Sequence, residues 1–459
     1  MEPGEGLEYY LPIVHLQEKP AVITPIVRSL MVLSVLGAFA LPASAQQFKA
    51  GFGKRDITPQ KPVPMWGYGA RHDALSTGIL DPLYAKAVVL DFGADKLALV
   101  GLDLGRSPGG ASLARIRAEV LKTSGVNALM LVGSHTHHGP VLELKDEEGK
   151  GKGKFDDAVA WVREMEDGII AAINEAASKT VDAKIGWGSA QVAMNRNRHS
   201  KWTPKPIDSE LSVLRIDDLD GKPLHYLVNF SAHPTNLDAK DLRFSAEYCG
   251  KMMDAVEKQT GANCVFLQGS AGDMSCQKGE QTNTIETFGA AMATEVLKIA
   301  EGIKTEKPAT PTLKFKDDDF EFTPRVDFTD PTMKQLLSVA FFPELANAFY
   351  DDVADNKLRP HLTTVVINGN LALVGGSGEF FSAHALRLKE KASDVKTLFL
   401  GYCNGHHMYF PTAEGAAEGG YGAGPEVSWV ALGGPEQMMF KALTNIYELL
   451  GQKQGFSQQ

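Results

Sequence analysis

Four cysteines in 459 residues, Cys249, Cys264, Cys276 and Cys403, are too few and too scattered to build a disulfide scaffold. None forms a CxxC pair, which argues against a thiolate zinc site. One or two disulfides stay open in an oxidising compartment, with no connectivity assignable from sequence. Cationic excess is missing too. The chain has 46 Lys and Arg against 56 Asp and Glu, a formal net charge of −10, and no run that interleaves basic and aromatic residues. Nucleic acid is therefore not expected as a partner. There is no internal repeat, no low-complexity tract and no long linker. The apolar stretch at 30–41 is too short for a confident membrane span.

What is present is an ordinary globular composition, 44% hydrophobic, with ample material for a core. Arg28 precedes the apolar stretch, and Pro42-Ala43-Ser44-Ala45 supplies an A-x-A site ahead of Gln46. That is the layout of a secretory signal peptide, with an uncleaved anchor as the alternative. Residues 1–27 do not fit an n-region and read as an overextended start. The division expected is 1–45 as leader and 46–459 as one catalytic domain, in a secreted or periplasmic protein.

Helical patterns at 111–123, 156–179, 245–259, 284–302, 381–392 and 435–451 alternate with apolar runs. The runs at 96–102, 128–132, 225–231, 264–268, 361–367, 371–375 and 397–400 read as strands. The alternation predicts an α/β fold: a mixed, largely parallel sheet flanked by helices, with the active site at strand carboxyl ends. Segment 310–328 reads as an edge hairpin or a break between two halves.

Polar residues follow these strands repeatedly: Asp103, then His135 and His137, His233, Asp273 and Ser275, Glu379, and Tyr409. Six such arrivals make a shared pocket the better explanation. The densest is Gly133-Ser134-His135-Thr136-His137-His138-Gly139-Pro140. If extended backbone continues past the strand, His135 and His137 point to one face, and imidazole is the commonest protein ligand for zinc.

With Gly51-Phe52-Gly53-Lys54-Arg55-Asp56-Ile57-Thr58-Pro59, Asp81-Pro82-Leu83-Tyr84-Ala85, Asn195-Arg196, His233-Pro234-Thr235, Gly272-Asp273-Met274-Ser275, Gly378-Glu379-Phe380 and the stretch from Asn404 through Tyr409 to Thr412, the chain resembles the neutral, non-lysosomal ceramidases, zinc-dependent amidases. The resemblance implies Zn²⁺ held by His135, His233, Glu379 and Tyr409. It places His137, Ser275, Arg196 and Tyr421 around the scissile amide. It also implies a lipid or small N-acyl substrate and is compatible with peripheral membrane contact. Such a shell of two imidazoles, one carboxylate and one phenol oxygen suits zinc, which would activate water against an amide carbonyl. His137 or Tyr421 would steady the oxyanion, Arg196 would bind a substrate hydroxyl or carboxylate, and Ser275 would position the water or leaving nitrogen.

The departures bear on substrate. Family ceramidases carry a further carboxyl-terminal β-sandwich. Here Cys276-Gln277 follows Ser275, and His406-His407-Met408 precedes Tyr409, where the ceramidases have other residues. A smaller ester, lactone or N-acyl substrate is therefore a second reading, and a noncatalytic lipid-binding module a third. Individual residues have plainer roles available: Glu379 as a cap for the following helix, and Tyr409 as a core aromatic. Asp103 and Asp273 read as loop-holding or ligand-orienting groups. His199, His225, His361 and His384 read as structural, and His138, His406 and His407 as pocket-lining.

Overall fold

The structure is a computed structural model that describes residues 47–353 and 355–452. The segment 1–45, expected as a leader, lies outside the described residues. Short connections dictate most of the strand pairing. Strands Tyr84–Asp91 and Lys96–Leu102, Glu210–Asp217 and Pro223–Phe230, and His361–Ile367 and Leu371–Gly376 are each joined by only a few residues. Such links cannot make a crossover, so these pairs are antiparallel. Parallel pairing appears where a helix intervenes. Helix Gly110–Ser124 connects Lys96–Leu102 to Ala128–Gly133. Helix Glu247–Thr260 connects Pro223–Phe230 to Asn263–Gln268. Helix Ser382–Lys391 connects Leu371–Gly376 to Lys396–Leu400.

Among the described residues three mixed sheets result, of five, four and four strands. Each contains one parallel pair, and its other pairs are antiparallel. The expectation of a single, largely parallel sheet is thus corrected. Strands such as Lys49–Asp56, Lys184–Gln191 and Glu210–Asp217, not singled out in the sequence, supply much of the antiparallel pairing.

The alternation of side chains along each strand builds the layers. Leu97 and Leu99 enter a central core with Met130, Val132, Leu227, Val265, Leu373 and Leu398, drawn from all three sheets. Ala98, Val100 and Leu102 face the other way, into the cluster shared with the helices. The second sheet's outer face packs on Glu247–Thr260 and on Ile285–Glu301, the latter opened by a capping box between Thr284 and Thr287. Segment 310–328 contributes one edge strand, Leu313–Asp319, paired with His361–Ile367 rather than with itself. Between those two strands the chain makes a pair of helices, Pro331–Ala340 and Pro343–Val353.

All four cysteines are buried and free. Cys249, Cys264 and Cys276 pack as small apolar groups under the second sheet, and Cys403 sits in the central core, so the disulfides left open by the sequence do not form. Among the described residues no helix is long and apolar enough to cross a membrane.

Candidate metal centre and active site

The wholly buried strand Ala128–Gly133 delivers the first histidine. At His135 the backbone turns into the left-handed region, φ +66°, so the chain is not extended there as expected. The two imidazoles of the motif still converge, with His137 Nε2 3.2 Å from His135 Nε2. The loop is held from behind by the buried Arg71, which donates to the His137 carbonyl and contacts His138 Nε2. His233 follows strand Pro223–Phe230 and is completely buried.

His135 and His233 are oriented alike. His135 Nδ1 donates to the Gly105 carbonyl at 2.6 Å, and His233 Nδ1 donates to the Ala271 carbonyl at 2.6 Å. A carbonyl oxygen can only accept, so in each neutral ring the proton is on Nδ1 and Nε2 carries a lone pair. Those two Nε2 atoms face each other at 3.1 Å. Glu379 Oε2 lies 3.3 Å from both. Tyr409 is the parallel ladder partner of Glu379, which sets the two side by side. Its hydroxyl is 3.5 Å from His233 Nε2.

Two opposed lone pairs, a carboxylate and a phenol oxygen form a donor set that calls for a cation, and the mixed N/O chemistry fits zinc. Donor atoms of His135, His137 and His233, and of His135, Glu379 and His406, lie within 4.8 Å of one another. Glu379 does not cap the helix after it; Asp273 accepts from the Ser382 backbone N–H at 2.6 Å instead. Gly272 lets that loop lie against Glu379, because a Cβ there would run into the Glu379 carbonyl.

Burial and nearby charge keep the His233 and His137 rings neutral. Burial, then the Arg198 guanidinium, pushes His233 down to about 3. Burial and the neighbouring imidazoles hold His137 well below its usual value. Burial raises the Tyr409 hydroxyl, and the Glu379 carboxylate raises it further.

A cavity of about 290 Å³ opens beside the cluster. His135, His137, Glu379, Tyr409 and Tyr421 line it, opposite Trp66, Phe341 and Phe342. Tyr421 is 66% exposed at the mouth, and its hydroxyl is hydrogen-bonded to Tyr409. His199 binds the Tyr421 and Gly415 carbonyls and so holds the segment that carries this tyrosine.

Arg196 and Ser275 do not line this cavity, although Ser275 bridges His233 through the backbone. They face one another across a two-stranded ladder and line a second pocket, with Thr235, Cys276, Gln277 and Lys278. Arg198 takes the place foreseen for Arg196. Its Nη2 lies 2.9 Å from His233 Nε2 and donates to the Tyr409 hydroxyl at 3.1 Å and the Gly272 carbonyl at 3.0 Å. The dipeptide Asn-Arg occurs twice in succession at 195–198, and the second copy was the signal available. Tyr402 was also missed. It stacks on His135 with ring centroids 4.2 Å apart and its hydroxyl donates to Glu379 Oε2 at 3.4 Å.

Residues 48–296 match the family model for the neutral/alkaline non-lysosomal ceramidase, N-terminal. The chain belongs to the neutral/alkaline ceramidase family. Its His135, His137 and His233 fall within the matched segment, whereas Glu379 and Tyr409 lie beyond it. A neutral ceramidase of Pseudomonas aeruginosa is 27% identical over 363 residues, 71% of this chain and 53% of that protein. The chain thus spans about half the length of that curated relative, 53%. The crystal structure of neutral ceramidase from Pseudomonas aeruginosa superposes with a TM-score of 0.67 at 20% identity, covering 88% of this chain and 74% of the other. A ceramidase complexed with C2 gives 0.66 at 20% identity, over 88% and 75%. These likenesses establish that this ceramidase-family chain has the same fold.

Proposed function

We propose that the protein is an exported zinc-dependent hydrolase that cleaves the amide bond of an N-acyl lipid. The observation that carries this reading is the facing pair of Nε2 lone pairs on His135 and His233, closed by Glu379, in a chain of the ceramidase family. His135, His233, Glu379 and Tyr409 would hold the ion. When bound, zinc supplies Lewis acidity, activating water and polarising the scissile carbonyl. The apolar stretch at 30–41 followed by Ala43-Ser44-Ala45 supports export, and 46–459 is the unit we assign to catalysis.

The chain's own groups do the rest. Arg198, donating to the Tyr409 hydroxyl, favours the anionic form of a phenol that burial alone would keep protonated. His137 and Tyr421 face the cavity, where their N–H and O–H can donate to an oxygen that gains charge in the transition state. Trp66, Phe341 and Phe342 receive apolar substrate and exclude water from the reacting amide.

A smaller N-acyl compound or an ester is the second reading. The departures from the ceramidase residues at Cys276-Gln277 and His406-His407-Met408 favour it. The deciding experiment is a hydrolysis screen over ceramides, short N-acyl amines and esters, with zinc, with chelator, and after zinc is restored. Amide cleavage that chelator abolishes and zinc restores is the expected result. A chain that cannot be loaded with zinc and cleaves none of the panel would leave a noncatalytic lipid-binding module as the surviving interpretation.

A further inference from the structure

The two oxygens of Glu379 sit in different surroundings. Oε2 faces the His135 and His233 nitrogens and the Tyr402 hydroxyl. Oε1 lies 3.2 Å from Nε2 of His406. What His406 does there depends on which ring nitrogen carries the proton. Nδ1 is approached by two groups that can only donate: the Arg106 guanidinium, with Nη1 at 3.3 Å, and the Met408 backbone N–H at 3.4 Å. A ring with a proton on Nδ1 would aim an N–H at both. Nδ1 is therefore an acceptor, and Nε2 carries the hydrogen directed at Glu379 Oε1.

The support continues outward. Arg106 is buried, its Nε is 2.8 Å from Glu143 Oε1, and its guanidinium lies 3.6 Å from the centroid of the Trp66 ring. Trp66 in turn lines the cavity.

We propose that His406 is a positioning residue: it donates from Nε2 to Glu379 Oε1, so that the carboxylate offers Oε2 alone to the metal, and Arg106 with Glu143 braces the ring. This rests on the zinc reading of the site. Although the donors of His135, Glu379 and His406 cluster closely, His406 is a supporting group and not a ligand, because its Nε2 lone pair is used by the proton. Hydrogen bonds that orient a ligand in this way set metal affinity and ligand geometry.

The test uses the whole chain, zinc titrated against a chromophoric chelator, and the visible spectrum after cobalt(II) substitution. His406→Leu should weaken zinc binding by about 10–100-fold and alter the cobalt band. His406→Gln, whose amide can donate to Oε1, should recover most of the affinity and a parent-like band. Arg106→Met, which removes only the brace, should weaken zinc binding less than His406→Leu does. Unchanged affinity in His406→Leu overturns the proposal. So does His406→Gln binding as weakly as His406→Leu, the outcome if His406 ligates directly. Should His406→Leu not fold, His406→Gln and Arg106→Met decide the matter against the parent: retained affinity in the first with a modest loss in the second supports the proposal, and any other pair overturns it. Failure of the zinc reading itself would show separately, as a parent chain that takes up no zinc.

Discussion

His135 and His233 present their Nε2 atoms to each other at 3.1 Å while each commits its Nδ1 hydrogen to a backbone carbonyl. Neither ring can donate to the other, so the pair is arranged for a positive charge placed between them and Glu379. The fold enforces this, since both carbonyls, Gly105 and Ala271, belong to loops leaving buried strands.

Removing either ring should therefore empty the site. His135→Ala or His233→Ala is expected to lower bound zinc from one ion per chain to near none and kcat/KM by more than about a hundredfold. Metal analysis of the purified variants checks this. Full zinc occupancy in either would refute the ligand assignment.

His137 separates binding from turnover. His137→Ala should keep zinc and lose about a hundredfold or more in kcat, with KM changed little, if its contact forms only in the transition state. Loss of the metal in this variant would make His137 a ligand.

Arg198 and Arg196 make a paired test of geometry against sequence. Arg198→Met should cost about a hundredfold in kcat/KM, because a charge-assisted contact to Tyr409 is lost. Arg196→Met, in the second pocket, should leave the rate within about twofold. The reverse ranking would restore the first Asn-Arg copy to the site.

Acyl-chain dependence tests the cavity. Each methylene buried against Trp66, Phe341 and Phe342 should add about 0.8 kcal/mol to transition-state binding. kcat/KM is expected to climb across short chains and then level off as the cavity fills. A climb that continues to long-chain ceramides would remove the case for a small substrate.

Stability should depend on pH through Glu247. This buried carboxyl accepts from the Leu237 and Tyr248 backbone N–H groups, and burial raises it to about 7. Between the usual glutamate value and about 7 the folded protein holds a proton that the unfolded chain releases. Stability therefore falls as pH rises through that window and changes no further from this group above it. Glu247→Gln should shrink the drop in Tm between pH 5 and pH 8. An equal drop in parent and variant would show that the group is not responsible.

How far the sequence reveals the site depends on how each residue is introduced. His135, His233 and Glu379 follow apolar strands within marked motifs, and the structure brings all three together. Arg198 was hidden by its own duplicate, because either Asn-Arg copy fits the pattern and only the course of the chain after Asn197 selects the second. Tyr402 has no motif: it reaches Glu379 because the backbone turns through φ +54° just past strand Lys396–Leu400, and local sequence does not announce such a turn. The fold class was legible from the helix–strand alternation. The balance of parallel and antiparallel pairing was not, because it depends on strands such as Lys49–Asp56 and Lys184–Gln191, whose glycines interrupt the apolar pattern.

The helical pair at 331–353 leaves and rejoins one sheet between two strands already in register, where Asp319 is opposite His361. Ala340, Phe341, Phe342 and Leu345 come from this detour, while the histidines and Glu379 come from the ends of strands. On the proposed function, the reacting groups and the part of the apolar wall opposite Trp66 are thereby written in separate stretches of gene. Insertions, deletions or exchanges within the detour can redraw what the cavity admits while the strand register, and with it the histidine–carboxylate constellation, is inherited unaltered.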